Sequence, residues 1–177
     1  MKKTKIITLL TVIVLGLVAL TGCTKSSKGV DLKLDFKHMN NKVYNAHINL
    51  TADDKVTELD EEEPNSARIE NEKDNYVIDI ILDTEAKEAY NGFQTSAKES
   101  EGYKEVSFGK YSGYYAEGNG DIFGYILLDK SDKTFNVFVN FVVYAYDDSA
   151  EDFDVQATYN SSNIQNILNK IEFKTSK

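Results

Sequence analysis

The chain has one cysteine and two histidines among 177 residues, and each shortage removes a class of chemistry. A single cysteine rules out an intrachain disulfide. His38 and His47 stand nine positions apart with no His-Glu-x-x-His arrangement, so the ordinary zinc ligand sets are not expected and both histidines read as surface residues. Serine catalysis lacks its signatures: there is no Gly-x-Ser-x-Gly elbow or Ser-x-x-Lys box, and Ser96-Ala97-Lys98 has the wrong spacing. Gly118-Asn119-Gly120 is a turn and no phosphate cradle, because no Gly-Lys-Ser/Thr follows it. Carboxylates abound, yet they cluster in charged stretches, whereas a glycosidase pair needs one acid buried enough to raise its pKa. An enzyme is therefore not expected, and neither is a cofactor.

Basic charge is also scarce. Twenty Lys and Arg face 29 Asp and Glu, a formal charge of −9. Such a surface repels phosphate backbones, so nucleic acid is not an expected partner. Calcium is the sharper rival reading for the acids. The run Asp147-Asp148-Ser149-Ala150-Glu151-Asp152-Phe153-Asp154 offers oxygens but lacks the turn glycine and spacing of a twelve-residue loop.

Apolar residues are concentrated at the start. Met1-Lys2-Lys3-Thr4-Lys5 is followed by Ile6 to Leu20, a 15-residue run that ends against polar Thr24-Lys25-Ser26-Ser27-Lys28. A spanning helix needs about 20 apolar residues; a charged n-region and an h-region of this length suit a cleaved signal peptide. The closing residues Leu20-Thr21-Gly22-Cys23 resemble a bacterial lipobox. That resemblance implies a diacylglyceryl group on the Cys23 sulfur and cleavage after Gly22, hence a chain held on the outer face of the cell membrane without a transmembrane helix. Acylated in this way, Cys23 leaves no free thiol. Loss of residues 1–22 from the 177 leaves 155, and three lysines go with them, so 17 basic residues face 29 acidic ones, a formal charge of −12. The expected organisation is a signal peptide over 1–22, the lipidated cysteine and a tether over 23–41, and one domain over 42–177. The alternation of Val30, Leu32, Leu34 and Phe36 with charged residues suits a first strand inside the tether.

Tyr44, Ala46, Ile48 and Leu50 alternate with polar residues as in a half-buried strand. Asp53 to Asn65 is too charged for a core and reads as a solvated loop. Ala67 to Glu70 suits a short strand. Tyr76 to Leu82 is nearly continuous apolar, the pattern of a central strand covered on both faces. Asp83 or Thr84 then caps a helix, in which Ala86, Tyr90, Phe93 and Ala97 form one stripe; Asn91-Gly92 is its weak point, where a kink or a split is expected. Glu105–Phe108, Tyr111–Ala116, Ile122–Leu128 and Thr134–Tyr146 read as strands, with Gly118 to Asp121 as a tight hairpin. On the last of these the odd-numbered residues face a core and the even-numbered ones a mixed surface. Ser162 and Gln165 match a capping box that opens a C-terminal helix, and Ile171-Glu172-Phe173 adds a closing strand.

These elements predict an α+β fold: an antiparallel sheet with one long helix and a short C-terminal helix. Their order resembles the Mog1/PsbP-like fold through the Tyr76–Leu82 strand with its helix, the Phe108-Gly109-Lys110-Tyr111-Ser112-Gly113-Tyr114 segment, and the ending Ile164 to Phe173. The resemblance implies a small accessory domain that binds another protein, and it places no active-site residue on this chain. The expected function is that of a non-enzymatic surface lipoprotein recognising a protein, peptide or envelope component. Its candidate binding surface is Tyr111, Tyr114 and Tyr115 with Phe138, Tyr144 and Tyr146, since rings with a polar tip suit half-wet interfaces. The alternative is an immunity-type lipoprotein that sequesters a cationic antimicrobial peptide through its negative field. An envelope hydrolase using carboxylates ranks below both.

Overall fold

A computed structural model of the chain describes residues 28–34, 43–58, 66–129, 135–147, 149 and 153–176. Residues 1–22, read above as a signal peptide, and Cys23 lie outside the described residues. Among the described residues ten strands and three short helices follow in the order β1 (Lys28–Leu34), β2 (Val43–Leu50), β3 (Lys55–Glu58), β4 (Ser66–Asn71), β5 (Tyr76–Ala86), α1 (Lys87–Ala97), β6 (Lys104–Phe108), β7 (Tyr111–Glu117), β8 (Ile122–Asp129), β9 (Phe135–Tyr144), α2 (Val155–Tyr159), α3 (Ser162–Asn169) and β10 (Glu172–Ser176). Among the described residues no helix is long and apolar enough to cross a membrane.

Seven strands form one antiparallel sheet in the order β3-β4-β5-β9-β8-β7-β6, and β1-β2-β10 form a second. The stretch 23–41, read above as a lipidated cysteine and tether, thus contains a strand, because β1 pairs with β2 from Lys28↔Leu50 to Leu34↔Tyr44. The larger sheet is covered on both faces, and strand alternation decides what goes where. One face packs Ile78, Ile80 and Leu82 of β5 and Val137, Val139, Phe141 and Val143 of β9 against Ile164, Ile167 and Leu168 of α3 and Ile48 and Leu50 of β2. The other face carries α1, whose Tyr90 and Ala97 bury against Tyr114, Ala116 and Phe138.

Several local expectations are corrected. The strand read as Tyr76 to Leu82 runs on to Ala86, because Asp83 to Ala86 continue the ladder with Phe138 to Phe135. Neither Asp83 nor Thr84 caps α1. Ala86 holds that position, without a side-chain bond. The helix is 11 residues long and continues through Gly92, at which a Cβ would meet nothing within 4 Å. β5 is not apolar on both faces: Asp79 is half-buried and accepts from Arg68 Nε at 2.7 Å and Nη2 at 2.9 Å. Pairing with that carboxylate raises the Arg68 pKa.

The capping box is displaced by one residue, since Ser161 is the N-cap of α3 and accepts from Ile164 N at 3.4 Å. Gln165 Nε2 instead donates to Tyr159 O at 2.8 Å, tying α3 to α2. The short helix α2 was not expected; Asp154 caps it by accepting from Ala157 N at 2.8 Å.

The first acidic stretch is not uniformly solvated. Asp54 accepts from Thr51 N, from Asn71 Nδ2 and from the Tyr76 hydroxyl, each at 2.6 Å. Its carboxylate therefore joins the β2–β3 turn to the ends of β4 and β5, and β3 follows at once. Asn75, in a left-handed conformation with φ 50°, performs a similar task elsewhere. Its Oδ1 accepts from Asp147 N at 2.8 Å, which fixes the segment after β9 to the start of β5.

Candidate functional site

Register places a broad row of side chains on the α1 face of the large sheet. Glu105 lies opposite Tyr114, Tyr114 opposite Tyr125, and Leu127 opposite Phe138. Aromatic residues dominate this row because Tyr114 of β7, Phe123 and Tyr125 of β8 and Phe138 of β9 share one phase. Their rings form a continuous cluster. Tyr114 and Tyr125 are 5.1 Å apart between centroids, Tyr125 and Phe138 5.5 Å, and Tyr90 of α1 reaches Phe138 at 5.3 Å. Phe93, 39% exposed, stacks on Tyr125 at 5.7 Å and 12°. Offset and edge-on pairs of this kind stabilise by about 0.5–1.5 kcal/mol each beyond their burial.

Between α1 and the β6–β7 hairpin lies a cleft of about 510 Å³ whose walls are Tyr90 and Gln94 on one side, Glu105 to Ser107 on another, and Ser112 to Tyr114 with Leu127 beneath. One lip is a polar network. Gln94 Nε2 donates to the Tyr103 hydroxyl oxygen at 3.2 Å and to Glu105 Oε1 at 3.3 Å, and the Tyr103 hydroxyl donates to Glu105 Oε1 at 3.0 Å. Lys98 Nζ stands 3.6 Å from the same carboxylate oxygen. The floor is different: Tyr114 is fully buried, and among the described residues its hydroxyl has no hydrogen-bond partner. Burial, reinforced by Tyr125 and Tyr90, raises the Tyr114 pKa. Burial likewise pushes Tyr90 up to about 12, and raises Tyr125. All three phenols are neutral at physiological pH. The cleft therefore offers ring faces, hydroxyl groups and one carboxylate.

β6 is also the last strand of its sheet, so one side of its backbone has no neighbour in that sheet. It is short, and Lys104 and Glu105 are exposed on it, which is how natural edges avoid indiscriminate pairing.

The six aromatic residues proposed from sequence do not make one surface. Tyr114 and Phe138 lie in the cluster beneath α1. Tyr115 points to the opposite face, as its neighbour in an alternating strand must, with its ring 4.5 Å from Tyr159. Tyr111 is half-buried on that side too, and its ring is 6.0 Å from Phe173. Tyr144 shares the α1 face but sits far along it; its hydroxyl donates to Asp79 Oδ2 at 3.0 Å, with the Arg68 guanidinium 6.0 Å from its ring centroid. Burial and Asp79 push its pKa up to about 12. Tyr146 lies past the end of β9 and is 43% exposed.

Sequence reasoning missed Tyr90, Gln94, Tyr103, Glu105, Ser112 and Tyr125. The available signal was the phase of β6, β7 and β8, which puts Glu105, Ser112, Tyr114 and Tyr125 on one face once the registers are known. Among the described residues no group of His, Cys, Asp and Glu gathers as a metal site. No protein-family model, curated protein or solved structure matches the chain.

Proposed function

We propose that the chain is a lipid-anchored binding protein on the outer face of a bacterial cell membrane. It is held there through Cys23, and it recognises a protein, peptide or envelope component without performing chemistry on it. The anchor rests on the lipobox-like Leu20-Thr21-Gly22-Cys23 behind a basic and apolar leader. The finer fold reading, a Mog1/PsbP-like accessory domain, belongs to the same proposal. It draws support from a helix-bearing strand (β5 and α1) that leads into a four-stranded meander closed by a C-terminal helix.

The observation that carries the binding reading is the buried hydroxyl of Tyr114, a residue that lines the cleft, which has no hydrogen-bond partner among the described residues. A buried hydroxyl without a partner costs about 1–3 kcal/mol. A ligand acceptor that parts the covering rings and reaches it converts that cost into affinity. Tyr114→Phe separates the two roles, because it keeps the ring and removes only the oxygen. The variant is expected to be more stable than the parent by about 1 kcal/mol in denaturant unfolding, and to retain less of the envelope partner when the full chain is used as bait from solubilised membranes. A variant that is destabilised, or one that retains the partner in full, contradicts the assignment.

Sequestration of a cationic peptide is favoured by one feature of the cleft: Glu105 brings a carboxylate to its lip, and among the described residues Lys98 is the one cation paired with it. Glu105→Gln should then weaken peptide binding at low salt much more than at high salt.

A further inference from the structure

Lys110, Lys170 and Lys174 meet at a second cavity, of about 720 Å³, in a protein whose acidic residues outnumber its basic ones by 29 to 20. They arrive from three separate elements. Lys110 is in the turn between β6 and β7, Lys170 is the C-cap of α3, and Lys174 is on β10. Among the described residues none of the three lies within 4.0 Å of a carboxylate. Three cations without a carboxylate within reach repel one another at one concavity, and Lys110 Nζ stands 5.2 Å from the centroid of the Tyr111 ring.

Two features oppose the positive charge, and they fall short of cancelling it. Glu172 is on the wall, contributing one negative charge. The C-terminal carbonyls of α3 contribute about half a charge. The excess that remains is presented together with the amides of Asn49 and Asn169 and the ring of His47. The wall is also held in place. Gly109 has φ +58°, and a Cβ there would fall 2.5 Å from Asn169 O, so the turn that carries Lys110 presses directly on the end of α3.

We propose that this cavity binds a phosphate group, as free phosphate or as the headgroup of an anionic lipid. Lysines act as point charges, without the planar fork with which arginine grips a carboxylate. Three of them around one concavity match a compact anion that spreads up to two negative charges over several oxygens. The site is independent of the aromatic cleft, and its ligand chemistry is different.

The test uses the full chain in neutral detergent at low salt. One arm titrates inorganic phosphate by equilibrium dialysis; the other adds phosphatidylglycerol to the micelles and follows its retention. Binding in at least one arm is expected, with a dissociation constant below about 1 mM. Binding of phosphate alone identifies the free ion as ligand, and retention of lipid alone identifies the headgroup. The triple variant K110Q/K170Q/K174Q should weaken that binding at least about tenfold, and Glu172→Gln should tighten it about threefold. The triple variant K55Q/K73Q/K87Q, which removes the same charge elsewhere, should leave it within about twofold. Absence of binding in both arms overturns the proposal. So does equal weakening by the two triple variants, which would make the attraction one of net charge alone. Should the first triple variant fail to fold, Glu172→Gln decides, and an unchanged constant for it counts against the site.

Discussion

Asp54→Ala is expected to lower the unfolding free energy by about 2–4 kcal/mol, since it removes the acceptor of three donors, of which only the Asn71 amide keeps another bond, to the Tyr76 hydroxyl at 3.3 Å, and each orphaned buried group costs about 1–3 kcal/mol. The donors are Thr51 N, the Asn71 amide and the Tyr76 hydroxyl, all bound to this one carboxylate. Asn71 is 0% and Tyr76 1% exposed, so water cannot replace the lost acceptor without opening the corner where β3, β4 and β5 meet. Asp54→Asn keeps one acceptor oxygen and should recover about half of the loss. Urea unfolding of the three proteins checks this. A cost for Asp54→Ala below about 1 kcal/mol would show that the carboxylate is an ordinary surface group.

Alkali should unfold the protein cooperatively. Tyr76, Tyr114 and Tyr159 have pKa values raised chiefly by burial, with Asp54 adding to the effect at Tyr76. Tyr90 and Tyr144 are pushed up to about 12. The unfolded chain releases its phenolic protons near pH 10, while the folded chain keeps them, so above that pH the folded state binds more protons than the unfolded one. The contribution of these tyrosines is thus fully present below about pH 9 and is lost as pH rises beyond about 10. Three phenols held neutral in the fold remove about 4 kcal/mol of stability per pH unit, enough to exhaust an ordinary domain before pH 12. Tyrosinate absorbance near 295 nm should rise together with the loss of circular dichroism, in one steep transition. A gradual rise centred on pH 10 with the fold intact would show that these rings are accessible.

Much of the sheet was legible because its physics is local. The odd face of β9 and the hairpin at Gly118 to Asp121 follow from alternation and turn chemistry, which neighbouring residues decide. The strand in 28–34 was marked by alternation as well, but only its pairing with β2 shows that it belongs to a sheet. Other features depend on partners distant in sequence. Asp54 looks like one more acid in a charged stretch, and its role is set by Asn71 and Tyr76. β5 outruns its apolar segment because β9 supplies ladder bonds to Asp83 and beyond, and those outweigh a helix cap. The candidate surface failed for a related reason. Tyr114 and Tyr115 are adjacent in the chain and therefore on opposite faces of a strand, and whether a ring on the α1 face is covered depends on where α1 crosses it.

The proposed function requires that the α1/β6–β7 cleft receive a partner at the cell surface. Photo-crosslinking of the full chain in living bacteria tests it most directly. A photoreactive residue replaces either Ser112, exposed in the cleft, or Lys55, exposed on the opposite edge strand of the sheet. Discrete adducts from position 112 that are absent from position 55, and that Tyr114→Phe diminishes, are the predicted result. No adduct from position 112, or the same adducts from both positions, would contradict the assignment of the cleft as the binding site.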